Sequence, residues 1–178
     1  MCGNSDFRNI VLIGFMGAGK STVGRALAAA ASFRLVDTDD LIIQNRGRSI
    51  PQIFAEEGEK AFRRYETEAL RSLADTRGLV VATGGGIVGR PENWDLMRLL
   101  GPIVYLRAGW PTLRARIGAC TNRPLASGDR SEEEVVALLQ NRLPLYEQAD
   151  LIVDTENKTV AEVIDEIRRG IENGCEHG

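Results

Sequence analysis

Lys20 and Ser21 close the octapeptide Gly14-Phe15-Met16-Gly17-Ala18-Gly19-Lys20-Ser21, which fits G-x-x-x-x-G-K-[ST] at each fixed position and is followed by Thr22. Each residue type there has a chemical reason. Glycines let the chain wrap so that successive N–H groups of Gly17, Ala18, Gly19 and the residues after them meet phosphate oxygens that Cβ atoms would obstruct. The Lys20 ammonium reaches the β- and γ-phosphates, and the Ser21 hydroxyl is placed to ligate Mg²⁺. A helix beginning near Gly19 adds the positive end of its dipole. The spacing therefore predicts a site for a nucleoside triphosphate.

Four further groups can do chemistry. Asp37-Thr38-Asp39-Asp40 carries two carboxylates two residues apart, which share one side of an extended chain. Asp37 suits a Mg²⁺ ion or its water shell, Asp39 suits a substrate hydroxyl, and Asp40 suits the N-cap of a following helix. Thr83-Gly84-Gly85-Gly86 exposes backbone N–H groups to a close ligand. In Phe62-Arg63-Arg64-Tyr65-Glu66, the carboxylate of Glu66 falls on an apolar helical stripe and needs a partner. Arg63, one turn away, is expected to be that partner and to be held by it. Arg116, Arg123 and Arg142 place cations in the last third of the chain. Pro144, soon after Arg142, is expected to interrupt its helix.

These groups need a scaffold, and the apolar runs supply one. Strands are expected at Ile10–Ile13, Arg34–Val36, Leu79–Ala82, Ile103–Leu106 and Leu151–Val153, with helical patterns at Ser21–Ala31, Leu41–Asn45, Glu59–Ala74, Glu92–Leu100, Thr112–Ile117, Glu132–Tyr146 and Val160–Glu172. Short continuous apolar runs alternating with helices indicate parallel strands covered on both faces, a three-layer α/β/α domain with a five-stranded parallel sheet. Ligands in such a sheet sit beyond the carboxyl ends of the strands, where the loop from Gly14 to Ser21, the run from Asp37 to Asp40 and the run from Thr83 to Gly86 fall. Residues 40–62 insert extra helix and turn, and the small-residue loop at 118–130 carries Arg123.

The 178 residues fit one domain, and the net charge of −3 argues against a nucleic-acid partner. Three cysteines without metal-ligand spacing read as reduced thiols. No run has the length of a membrane span, so a cytoplasmic protein is expected. The single histidine, His177, lies in the polar tail, which excludes histidine catalysis in the body of the chain. A guanine-reading N-K-x-D is absent: Asn157-Lys158-Thr159 is followed by Val160.

The ordered set GFMGAGKST, DTDD, GEKAFRRYE, ATGGG, NRPL and NRLPLYEQAD, from about Ile10 to Val153, resembles the shikimate kinases. The resemblance implies a P-loop fold of the nucleoside-monophosphate-kinase type and transfer of the ATP γ-phosphoryl group to the 3-hydroxyl of shikimate, on the route to chorismate and aromatic amino acids. It implies Lys20, Asp39 and Arg123 as catalytic residues, with Asp39 holding the reacting hydroxyls. Arg63 and Arg142 would grip the carboxylate, and Gly84, Gly85 and Gly86 would add backbone contacts. Arg123 would act from a lid at about 118–130, Arg116 would stack on adenine with Lys158 nearby, and Ser21 and Asp37 would hold Mg²⁺. The insert at 40–62 would bind substrate. A monomer with small-molecule partners only is expected. The nearest rival is a P-loop kinase for another acidic polyol such as gluconate.

Overall fold

A computed structural model describes residues 9–119 and 131–175. Five strands, β1 (Asn9–Ile13), β2 (Arg34–Asp37), β3 (Leu79–Ala82), β4 (Ile103–Arg107) and β5 (Leu151–Asp154), form one sheet in the order β2-β3-β1-β4-β5. All four pairings are parallel, with Ile10 opposite Val80 and Leu12 opposite Val104. Every residue of β1 and β3 is buried, as their unbroken apolar runs require, whereas β2 and β5 are edge strands and only partly covered.

Among the described residues seven α-helices connect and cover the strands: α1 (Lys20–Ala31), α2 (Thr38–Arg46), α3 (Ile50–Ser72), α4 (Pro91–Leu100), α5 (Trp110–Ala119), α6 (Glu132–Tyr146) and α7 (Val160–Cys175). The starts of α3 and α6 are capping boxes, Ser49 with Gln52 and Ser131 with Glu134, and Thr159 with Glu162 makes the same reciprocal bonds at α7. The apolar stripe Val163, Ile164, Ile167 and Ile171 seats α7 on the main core.

From β1 the chain leaves through α1 toward β2. From the neighbouring β3 it leaves through α4 toward β4. The carboxyl ends of β1 and β3 thus flank the crevice where connections diverge, the place where open α/β sheets bind ligands. A second, small core of Ile42, Ile53, Phe62, Tyr65 and Ala69 packs α2 against α3 beside the sheet.

The structure corrects three local expectations. Helix α2 starts at Thr38 with Asp37 as its N-cap, in place of Asp40, because the Asp37 carboxylate takes the Asp39 N–H at 3.0 Å. Asp39 therefore sits in a first helical turn and not on an extended chain. Helix α3 begins at Ile50, ahead of Glu59, and is kinked at Gly58, where φ 79° and ψ 173° break the helix. Helix α6 runs through Pro144 to Tyr146. A proline there removes one hydrogen bond close to the helix end, and the final turn is closed by Glu147 N–H donating to the Leu143 carbonyl.

Candidate active site

The loop after β1 turns at Gly17 and Gly19, with φ of 79° and 93° that L side chains rarely adopt. A Cβ at Gly17 would also lie 2.9 Å from Ile117 Cγ1, so α5 packs directly on the loop backbone. The Lys20 Nζ donates to the carbonyls of Gly14 and Phe15 at 2.8 and 2.9 Å, fixing the loop from within. Ala18 donates its N–H to Phe15 O, and Thr22 is exposed in the first turn of α1. At that turn Ser21 Oγ donates to Asp37 Oδ2 at 3.1 Å. A hydroxyl and a carboxylate oxygen make a hard donor pair, the kind Mg²⁺ takes while keeping several waters. Among the described residues no group of three or more His, Cys, Asp or Glu could hold a metal alone. The site fits an ion shared with phosphate oxygens and water.

The loop after β3 lies across the crevice. Gly84 N–H donates to Thr38 Oγ1 at 3.1 Å, and a Cβ at Gly84 would lie 2.8 Å from Asp39 Oδ1 and 3.0 Å from Glu66 Oε1. Asp39 and Glu66 therefore close on the same bare α-carbon. A Cβ at Gly86 would lie 2.6 Å from Arg63 Cζ, so glycine is what lets the guanidinium lie against this loop. Arg142 comes from the other side: its Nη1 is 3.7 Å from a Cβ position at Gly85, and its guanidinium stands 6.0 Å from the Phe15 ring centroid.

Two carboxylates hold Arg63. Glu66 Oε2 accepts from Nη1 at 2.8 Å, and the Glu66 side chain is fully buried, the arrangement expected from the sequence. Exposed Glu59 accepts from Nη2 at 2.8 Å and from Nε at 3.2 Å. Burial pushes the Glu66 carboxyl up to about 7 and the Asp39 charge adds to this, while Arg63 and Arg142 pull it down. Its Oε1 has no hydrogen-bond partner among the described residues.

A buried amide ties Arg63 to the glycine loop through the backbone. Asn93 accepts from Thr67 Oγ1 and donates to the Ile87 carbonyl, both at 2.8 Å. Arg90 Nη1 in turn donates to the Arg63 carbonyl and to Thr67 Oγ1, at 3.2 Å each.

Arg116 lies beyond the carboxyl end of β5, donating to Thr155 Oγ1 and to the Thr155 carbonyl at 3.0 Å each. This joins α5 to the loop after β5. Lys158, on that loop, pairs with Glu166 of α7. Arg123 and nearly all of the expected lid at 118–130 lie outside the described residues.

The structure thus brings together Lys20, Ser21 and Asp37 in one group, and Asp39, Arg63, Gly84, Gly85, Gly86 and Arg142 in a second group beside it. Sequence reasoning missed Glu59, Thr38, Asn93 and Tyr146. Tyr146 had a signal, since it stands four residues after Arg142 on one helix face. Asn93 and Thr38 had none, because only tertiary contacts give them a partner.

Residues 16–172 match the family model for shikimate kinase. The chain is 46% identical over 163 residues to a shikimate kinase of Geobacter metallireducens, covering 92% of this chain and 91% of that protein. It is 41% identical over 171 residues to one from Chlorobium chlorochromatii, with 92% and 90% covered. Among solved structures, the shikimate kinase from Acinetobacter baumannii in complex with shikimate aligns with a TM-score of 0.86 and 36% identity over 94% of each chain. A gluconokinase from Sinorhizobium meliloti, at a TM-score of 0.60 and 21% identity over 95% of this chain and 94% of that one, shares the fold alone. With the family model spanning most of its length and relatives above two-fifths identity, this chain belongs to the shikimate kinase family, the ATP-dependent kinases of aromatic amino-acid biosynthesis.

Proposed function

We propose that the chain transfers the γ-phosphoryl group of ATP to the 3-hydroxyl of shikimate, giving 3-phosphoshikimate and ADP. The observation that carries this reading is the convergence of Arg63 and Arg142 on the glycine loop, with Asp39 next to them and the phosphate loop alongside. Two guanidinium groups from different elements suit one carboxylate, and a carboxylate suits the hydroxyls of the same small acid. In this reading the backbone of Gly17, Ala18, Gly19, Lys20, Ser21 and Thr22 cradles the phosphates, and Lys20 exchanges its loop carbonyls for phosphate oxygens. Asp39 holds the reacting hydroxyl, Arg63 and Arg142 hold the carboxylate, and Gly84 to Gly86 add backbone donors. Ser21 and Asp37 would hold Mg²⁺, which neutralises phosphate charge when bound. Arg116 and Lys158 serve the adenine end, and Arg123 acts on the phosphates from the lid segment. The insert at about 40–62 is read as the substrate-binding part of a single kinase domain, flanked by Asp39 and Arg63 and packed through Ile42, Ile53 and Phe62 on a small core shared with Tyr65 and Ala69. We read the enzyme as a cytoplasmic monomer acting on small molecules only. Among the described residues no helix is long and apolar enough to cross a membrane.

A coupled assay for ADP with shikimate or gluconate as acceptor tests this. Turnover with shikimate is expected to exceed that with gluconate by at least ~10²-fold, the scale a site built for specific hydroxyls and a carboxylate can reach. Equal turnover of both acids, or none with shikimate, overturns the reading.

A further inference from the structure

Three consecutive glycines have no side chains with which to anchor themselves, and glycine backbone is the most costly to order. The loop after β3 must be held by its peptide groups. The Gly84 carbonyl accepts from Ile87 N–H at 3.2 Å and the Gly86 carbonyl from Gly89 N–H at 3.1 Å, both within the loop's own segment. The Gly85 carbonyl is held from elsewhere, by the Tyr146 hydroxyl at 2.6 Å, across 61 residues of sequence.

Tyr146 is built for that bond. Its side chain is fully buried at the end of α6, and its ring stacks on that of Tyr105 in β4 with centroids 5.0 Å apart and an interplanar angle of 20°. Tyr105 is itself buried on the central part of the sheet, so the hydroxyl stands on a rigid base. Burial pushes the hydroxyl up to about 12, so it remains a donor throughout neutral pH. Arg142 lies one turn earlier on the same helix, and the Tyr146 oxygen and Arg142 Nη1 lie 3.5 and 3.7 Å from a Cβ position at Gly85. The carbonyl of Gly14, to which Lys20 donates, lies 3.4 Å from the same Cβ position.

We propose that Tyr146 is a positioning residue for the acid substrate, whose hydroxyl fixes the Gly85–Gly86 peptide and the separation of that peptide from Arg142. A peptide is planar and trans, so a carbonyl pinned toward Tyr146 leaves the Gly86 N–H aimed the opposite way, away from α6 and fixed as a donor. The same bond sets how far the Arg142 guanidinium stands from this loop. Tyr146 touches no substrate in this arrangement and acts through the groups that do. The inference rests on the shikimate reading above and adds to it the element that sets the shape of the acid site.

The test is Tyr146→Phe, which keeps the ring and its stacking and deletes one oxygen. Steady-state kinetics with shikimate and ATP varied separately should show the KM for shikimate raised roughly five- to tenfold, the scale of one net hydrogen bond. The KM for ATP should stay within about twofold of the wild-type value. Hydrogen exchange at residues 84–89 should rise in the same variant. Asn9→Ala supplies the comparison: Asn9 is a buried amide bonded to Thr76, Leu79 and Leu100 at the opposite end of the sheet, and its loss should lower Tm with both KM values unchanged. A Tyr146→Phe protein that behaves like Asn9→Ala, or that raises both KM values equally, overturns the proposal, as does unchanged exchange at 84–89. Wild-type protein without shikimate-dependent turnover would overturn the function itself, and this inference with it; that result is read in the wild-type arm alone.

Discussion

Glu66 carries a carboxyl whose ordinary value is 4.5 to a folded value of about 7, because burial on the apolar face of α3 outweighs the attraction of Arg63. The folded chain therefore binds this proton more tightly than the unfolded chain. The stability that protonation contributes is full below pH 4.5, falls as pH rises to about 7, and is constant above it. Glu66→Gln, neutral at every pH, should remove that slope, on the order of 1–3 kcal/mol between about pH 5 and pH 7.5. Urea unfolding at the two pH values is the check, and a variant that keeps the wild-type slope would falsify the assignment. The arginines that Glu66 and the glycine loop position should be separable from the nucleotide. Arg63→Ala and Arg142→Ala are each expected to cost ~2–4 kcal/mol in kcat/KM for the acid, the scale of a charge-assisted contact, with the Kd for ATP little changed. An ATP-binding defect as large as the acid defect would reject these roles.

The elements that carry these residues are joined at points of unusual backbone. Gly58 divides α3 into a first part that gives Ile53 to the small core and a second part that gives it Phe62, Tyr65 and Ala69 and carries Arg63 and Glu66. A Cβ there would meet nothing within 4 Å, so space does not select glycine; the φ of 79° with ψ of 173° does. Gly58→Ala should destabilise the protein by ~1–3 kcal/mol purely through backbone strain. Chemical denaturation measures this, and a variant as stable as the wild type would mean that α3 can straighten without penalty. The break was half legible beforehand. The apolar period starting at Glu59 is real, but the segment before it has its own capping box at Ser49 and belongs to the same helix axis only through the kink. The start of α2 was misplaced for a related reason. Asp37 and Asp40 are both competent caps by type, and the competition is settled by which carboxylate lies over the first free N–H groups.

At the scale of the whole molecule, both ligand groups sit at the mouth between β1 and β3, so occupancy should stabilise the entire sheet. ATP with Mg²⁺ at about 100 times its Kd should add ~2.7 kcal/mol to unfolding. A chelator should abolish turnover and most of that increment if Ser21 and Asp37, in contact at 3.1 Å, hold a Mg²⁺ ion shared with the phosphates as proposed. Turnover that survives excess chelator would remove Mg²⁺ from the scheme. The sequence by itself determined the phosphate loop, the five strands and the family. Each of these is written in contiguous residues or in a period, and a loop of fixed spacing folds the same way wherever a strand and a helix flank it. The pairing of Arg63 with Glu66 was legible on the same ground, because three residues on a helix are neighbours before any tertiary contact forms. Tertiary structure alone decided that Asp39 and Glu66 close on Gly84, that Gly86 seats the Arg63 guanidinium, and that Tyr146 holds the Gly85 carbonyl. Those contacts join segments tens of residues apart. Their partners are backbone atoms and bare α-carbons, which leave no mark in residue type or spacing and acquire their roles only when the sheet order brings the strand ends together.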